Sequence, residues 1–335
     1  MTDSIPSDDV GVRLERFLSE KLGAGARLKL DGLRRTSAGM SRENWVFDAS
    51  WCDASGYEVS EPLIMRRDPV GSVLDTDRNV EYEVLRALEQ TDVPAPRVRW
   101  LDADGAALGR PSVVMVREEG VCEYYVLNSS RPLVDRVAIA RHYLDVLAAI
   151  HRVDWQALGL DAVLEDPGDR AAQAAVDHWE GELRRHQIEP HPELEVVAAW
   201  LRAHAPVAQA TVLVHGDFKP GNALMRGDDI SAVLDWETAH LGDPIEDIGW
   251  ITNPVRSREH QIVGSWERQQ IFEHYAARTG FVVEENTVRW WNVLANYKLS
   301  VITLTGTDAF VDGRLDRLHQ TPVGLMRVMF DTIGA

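Results

Sequence analysis

Cysteine is nearly missing from this 335-residue chain: Cys52 and Cys122 are the whole complement, and nothing in their spacing pairs them. A disulfide scaffold is therefore excluded, and a reducing compartment, the cytoplasm, is the expected location. No apolar run approaches the roughly 18 residues a membrane span needs, so no membrane partner is expected. The first residues, M-T-D-S-I-P-S-D-D, lack the basic-then-apolar order of an export leader. Basic charge is scarce as well: 35 Lys and Arg against 53 Asp and Glu give a formal net charge of -18. That balance argues against nucleic acid as a partner, because binding a phosphate backbone needs a basic surface. It is compatible with a cationic ligand, although solubility alone accounts for it. Internal repeats and low-complexity segments are absent too, and the length suits about two domains, each able to bury its own core.

What the chain does contain is concentrated between Val212 and Trp250. The apolar run Val212 to Val214 reads as a strand leading into V-H-G-D-F-K-P-G-N, and a second run, Ile230 to Leu234, delivers Asp235. Asp217 and Asn222 stand five positions apart, with Pro220 and Gly221 between them to bend the backbone so that both side chains face one pocket. Three oxygen donors are thus expected to meet at the ends of paired strands. Mg²⁺ prefers hard oxygen donors, keeps several waters and takes one or two protein carboxylates. Asn222 and Asp235 suit that ion, which frees Asp217 to act as a base.

The run H-G-D-x-x-x-x-N, followed by L-D-W-E and G-D-P-x-x-D, resembles the catalytic loop of the protein kinase superfamily, H-R-D-x-x-x-x-N followed by a metal-binding Asp. With Gly216 at the middle position it is more similar to the aminoglycoside phosphotransferase family of small-molecule kinases. The resemblance covers roughly residues 33 to 251. It implies an α+β, bilobal, protein-kinase-like fold, with a small β-rich N-lobe over residues 1–117 and a mainly helical C-lobe over 118–335. It further implies ATP, with GTP left open, bound with Mg²⁺ between the lobes, and a small-molecule hydroxyl acceptor. Lys219, two places after Asp217, matches a lysine that protein kinases of the D-x-K-P-x-N type have near the γ-phosphate.

Upstream, Leu14, Phe17, Leu18 and Leu22 recur at helical spacing, so a helix is expected over Asp9 to Leu22. Leu33 to Thr36 and Trp45 to Ala49 read as a hairpin around S-A-G-M-S-R-E-N. An ordinary β-hairpin explains it; the resemblance makes it a phosphate-covering turn that includes Gly39 and Ser41. Leu63-Ile64-Met65-Arg66 occupies the places of the kinase pattern V-A-I-K. Alternation puts Ile64 and Arg66 on one face, an apolar contact for adenine and a cation for phosphate, with Arg67 the working residue if the strand shifts by one. Arginine here departs from the usual lysine, and its planar fork is not equivalent to an ammonium. Val80, Val84, Leu85 and Leu88 form a helical stripe that positions Glu81 toward Arg66; the plain alternative is a surface ion pair of little worth. Arg66 followed by Arg-Asp-Pro is also similar to the branch of the family fused to acyl-CoA dehydrogenases.

By resemblance, Met115 to Gly120 is the hinge, where the backbone of Val116 and Glu118 would bond adenine. A long helix is expected over Pro132 to Val153, with His151 a capping or core residue. His215 braces the loop, and Asp243 and Asp247 fix it and start a helix. Trp290, Trp291, Asn292, Tyr297 and Lys298 are either core or lining of an acceptor pocket. The expected reaction carries the γ-phosphate of ATP to an alcohol, with an aminoglycoside-like and a hydroxyacyl-CoA-type acceptor both open. A nucleotide-binding module without turnover is the alternative that Arg66 motivates; a metal-dependent phosphoesterase leaves Asn222 unexplained. Oligomeric state is not encoded in any of these features.

Overall fold

The apolar stripe of the first helix covers one face of a five-stranded sheet. The computed structural model describes residues 7–23, 25–36, 42–69, 77–315 and 322–334. The chain divides into two compact units, Met1–Arg86 with Pro96–Glu118, and Ala87–Ala95 with Glu119–Ala335. The elements of the first are α1 (Ser7–Leu22), β1 (Lys29–Thr36), β2 (Glu43–Cys52), β3 (Glu58–Arg67), α2 (Arg78–Leu88, whose last two residues fall in the second unit), β4 (Val98–Asp102) and β5 (Ser112–Val116). The strands run antiparallel in the order β1-β2-β3-β5-β4.

Period-two alternation decides what β3 offers each face. Leu63 and Met65 are fully buried in a cluster with Val10, Leu14, Phe17 and Leu18 of α1 and Trp45 and Phe47 of β2. Each such side chain contributes about 1.5–3 kcal/mol of transfer free energy. Ile64 and Arg66 consequently stand on the opposite face. Gly39 and Ser41 lie outside the described residues.

The second unit is mainly helical. Its elements are α3 (Leu133–His151), α4 (Ala171–His186), α5 (Pro192–Ala203), β6 (Val212–Val214), β7 (Ala223–Arg226), β8 (Asp229–Val233), β9 (His240–Gly242), α6 (Ile245–Ile251), α7 (Ser257–His260), α8 (Arg268–Thr279), α9 (Glu285–Val311) and α10 (Val323–Ile333). Gly249 is what lets α6 lie against α9: a Cβ there would sit 2.3 Å from the Cβ of Trp291. Among the described residues no helix is long and apolar enough to cross a membrane.

One expected pairing is corrected. The strand ending near Asp235 does not pair with β6. It pairs with β7, while β6 pairs with β9. The cause is local: Gly227, at φ +68°, supports a two-residue turn with Asp228 that returns β7 directly onto β8. The hairpin forms at lower loop-closure cost than a more distant pairing.

Candidate active site

The segment after β6 is built around Gly216. Its φ of +79° is a left-handed conformation, and an added Cβ would meet the Thr238 carbonyl oxygen at 2.8 Å and its Oγ1 at 2.9 Å. Only glycine satisfies both conditions. The turn presents Asp217, whose Oδ2 accepts from Lys219 Nζ at 2.6 Å and from Asn222 Nδ2 at 2.9 Å. The same Asn222 nitrogen donates to the Asp217 carbonyl at 3.1 Å. Asp217 Oδ1 accepts no hydrogen bond among the described residues. Gly221 keeps the loop close to the Tyr124 ring, which a Cβ would strike at 2.4 Å.

His215 fixes this loop without taking part in its chemistry. The Asp217 N–H donates to its Nδ1 at 3.2 Å, and its Nε2 lies 2.9 Å from the Leu234 carbonyl. That pattern selects the neutral imidazole with the proton on Nε2, and burial lowers its pKa in the same sense. Beneath it, Asp247 accepts the His215 N–H at 2.8 Å through Oδ2 and the Gly216 N–H at 2.9 Å through Oδ1. His151 Nε2 sits 3.1 Å from Oδ2, and its Nδ1 is 2.5 Å from the Tyr275 hydroxyl. Burial alone would raise the Asp247 pKa; the hydrogen bonds and the two imidazoles instead hold it at about 2. Lys298 of α9 donates from Nζ to the Gly216 carbonyl at 2.7 Å.

The Leu234 N–H donates to the Asn222 carbonyl at 2.7 Å, which brings the residue before Asp235 alongside Asn222. Asp235 itself has φ +61° and ψ +57°, a strained conformation for a non-glycine residue. The donor set fits a hard cation. Asn222 turns its Nδ2 toward Asp217, so Oδ1 is on the other side of the amide, and Asp235 is the next residue after the Leu234 N–H that bonds the Asn222 carbonyl; an amide oxygen and a carboxylate are the hard donors such an ion takes. Among the described residues no group of three or more His, Cys, Asp and Glu is placed to hold a metal.

In the first unit, Arg66 Nη1 meets Glu81 Oε1 at 3.2 Å. The pair is buried, Arg66 at 9% and Glu81 at 2% exposure, and not the surface pair that was its plain alternative. Glu81 Oε2 is bound by Arg78, whose Nε reaches Asp68 Oδ1 at 2.6 Å; Arg42 shares that oxygen at 3.2 Å. Arg67 is engaged elsewhere, with Glu43 at 2.9 Å. The Val116 N–H donates to the Arg97 carbonyl at 2.8 Å, which leaves its carbonyl as the backbone group that could meet a ligand. Glu118 follows on the same segment, 3.6 Å from Arg97.

On α9, Trp290, Trp291, Asn292 and Tyr297 are buried core residues, with Trp290 Nε1 bound to the Leu201 carbonyl at 3.0 Å and Asn292 Nδ2 to that of Gly249 at 2.5 Å. Sequence reasoning missed Arg42, Asp68 and Arg78, and the contact of Lys298 with the loop. A lysine inside the apolar stretch N-V-L-A-N-Y-K-L-S-V was the available signal for the last.

A family model described as "Phosphotransferase enzyme family" (APH) matches residues 44–281. Acyl-CoA dehydrogenase family member 10 of Mus musculus is 33% identical over 230 residues, 66% of this chain and 21% of that protein. Acyl-CoA dehydrogenase family member 11 of Rattus norvegicus is 25% identical over 262 residues, 72% of this chain and 33% of that protein. The chain thus spans a third or less of the length of these curated relatives. A candidate aminoglycoside phosphotransferase from Ralstonia eutropha JMP134 superposes with a TM-score of 0.71 at 22% identity, over 96% of this chain and 95% of the other. The aminoglycoside phosphotransferase APH(4)-Ia, in a ternary complex with AMP-PNP and hygromycin B, gives 0.56 at 18% identity over 96% and 97%. These likenesses establish the kinase-like α+β fold. Because the family model spans more than half of the sequence, the chain belongs to the phosphotransferase enzyme family, APH.

Proposed function

We propose that this phosphotransferase moves the γ-phosphoryl group of ATP to a hydroxyl of a small molecule, with Asp217 as the base. The observation that carries the reading is the braced loop in which Asp217 Oδ2 is held by Lys219 and Asn222 while Oδ1 accepts nothing among the described residues. Oδ1 would take the proton of the attacking hydroxyl. The acceptor oxygen forms its bond to the γ-phosphorus as the bond to the β-phosphate oxygen breaks, and ADP leaves. Lys219 would offset charge on the transferring group. Arg66, oriented by Glu81, would hold nucleotide phosphate, with Ile64 on the same face against adenine and the carbonyls near Val116 and Glu118 as its polar contacts. Asn222 and Asp235 would hold Mg²⁺, which supplies charge neutralisation to the phosphates when bound.

Solved relatives of the fold hold AMP-PNP with hygromycin B and ATP with streptomycin, which supports ATP as donor and a small hydroxylated acceptor. The acyl-CoA dehydrogenase relatives, which are among the curated proteins the chain matches, support a hydroxyacyl-CoA-type acceptor over an aminoglycoside. The test is ADP formation from ATP and Mg²⁺ across hydroxyacyl-CoAs, aminoglycosides and simple alcohols. Turnover that Asp217→Asn lowers by about 10² to 10⁴ is the expected result. Nucleotide binding without turnover on any acceptor would instead identify a binding module.

A further inference from the structure

Gly216 is gripped on both of its polar groups by buried charges of opposite sign. Its N–H goes to Asp247, 0% exposed, and its carbonyl to Lys298, 5% exposed. A buried ammonium is costly unless paired, and Lys298 forms no ion pair among the described residues. It is stabilised instead by that carbonyl and by two aromatic faces, the rings of Trp179 at 5.3 Å and Trp250 at 5.0 Å. A small cavity beside it is lined by Gly216, Glu246, Trp250, Trp291, Leu294 and Ala295. A side chain kept only for packing at this place in α9 would be apolar, because an apolar residue of similar length carries no desolvation cost.

We propose that Lys298 is a positioning residue for phosphoryl transfer: by holding the Gly216 carbonyl against the pull of Asp247 on the N–H, it fixes the peptide that aims Asp217. The inference rests on the reading of Asp217 as the base. The charged groups acting on Lys298 come from every side, Asp217 and Lys219 of the loop and Glu246 and Asp247 of α6, while Lys298 in turn acts on His178 of α4 and His240 of β9. Burial lowers its pKa and the three carboxylates oppose the shift.

The test compares the parent with Lys298→Met, which keeps the length and loses the donor and the charge, Lys298→Gln, which keeps a donor, and Asp217→Asn. ADP formation from ATP and Mg²⁺ is measured with water or the best alcohol as acceptor, alongside amide hydrogen exchange over residues 212–222. Lys298→Met is expected to lower kcat by about 10- to 100-fold, the worth of a hydrogen bond to a charged group, with KM for ATP within about twofold. Exchange at Gly216 and Asp217 should quicken, and Lys298→Gln should fall between Met and the parent. A folded Lys298→Met enzyme with kcat within about twofold of the parent, or with unchanged exchange in the loop, overturns the proposal. If the Met variant does not fold, the Gln variant is read by the same two criteria. If Asp217→Asn retains full turnover, the assignment of the base fails, and loop exchange alone then decides whether Lys298 holds the loop.

Discussion

Replacing Asp247 by Asn tests the platform under the loop most directly. The carboxylate offers an oxygen to each of two backbone N–H groups and a third contact to His151. An amide has one oxygen, so in either orientation its NH₂ faces a buried N–H donor, and the charge that His151 faces is lost. A buried donor without an acceptor costs about 1–3 kcal/mol, and breaking a buried charged contact brings the expected loss to about 3–5 kcal/mol. The pH dependence gives an independent check. The Asp247 pKa is held at about 2, below its ordinary 3.8, so its stabilisation is fully present above about pH 4 and is lost as pH falls through 2. That displacement corresponds to roughly 2 kcal/mol. Urea unfolding of parent and variant should therefore show a constant gap from pH 5 to 8 that narrows by about that amount toward pH 2. Turnover of the variant should fall even where it is folded, because Gly216 and Asp217 lose their reference. A gap below about 1 kcal/mol at pH 7, or one that does not narrow in acid, would refute the reasoning.

Three further substitutions read other parts of the site. Gly216→Ala places a Cβ 2.8 Å from the Thr238 carbonyl at φ +79°, so ADP formation should drop at least about tenfold and the unfolding free energy by about 1–2 kcal/mol or more, as measured by urea unfolding. Asp243 is pushed up to about 6 by burial, so the folded state disfavours its charge above that pH; Asp243→Asn should raise Tm at pH 8, with the gain shrinking toward pH 4. Arg78→Met leaves Glu81 Oε2 and Asp68 Oδ1 each short of a buried partner, and should cost about 3–5 kcal/mol in urea unfolding and weaken ATP binding by titration calorimetry.

What the sequence made legible was whatever lies close along the chain or follows a strict period. Asp217, Lys219 and Asn222 fall within one turn, so their spacing already implied convergence, and the structure joins them through a single carboxylate oxygen. Ile64 and Arg66 share a face because a strand alternates, and Glu81 meets Arg66 because it sits on the inner side of the next helix. Asn222 and Lys298 differ in this respect. The lysine reaches Gly216 across 82 positions, a pairing set by how α9 packs and not by any local pattern. Strand pairing around Asp235 was misjudged for a related reason: β6 and β9 are three residues each, too short for periodicity to specify a partner.

The glycine in H-G-D, where the related pattern has arginine, follows from this packing and not from a tolerance of small residues. Once Thr238 donates from Oγ1 to the His215 carbonyl at 3.0 Å, its own carbonyl stands where a Cβ at 216 would project. No side chain fits, so the position cannot supply a brace of its own. The brace has to come from elsewhere in the fold, and it does so on the backbone: Asp247 takes the amide and Lys298 the carbonyl. An aspartate near pKa 2 and a lysine beside two indoles are both expensive to bury, yet each is held by its neighbours, His151 with Tyr275 on one side and the ring faces of Trp179 and Trp250 on the other. Residues far apart in the chain are therefore constrained together by one missing side chain, and a substitution that restored that side chain without moving Thr238 would have to displace the loop that carries Asp217.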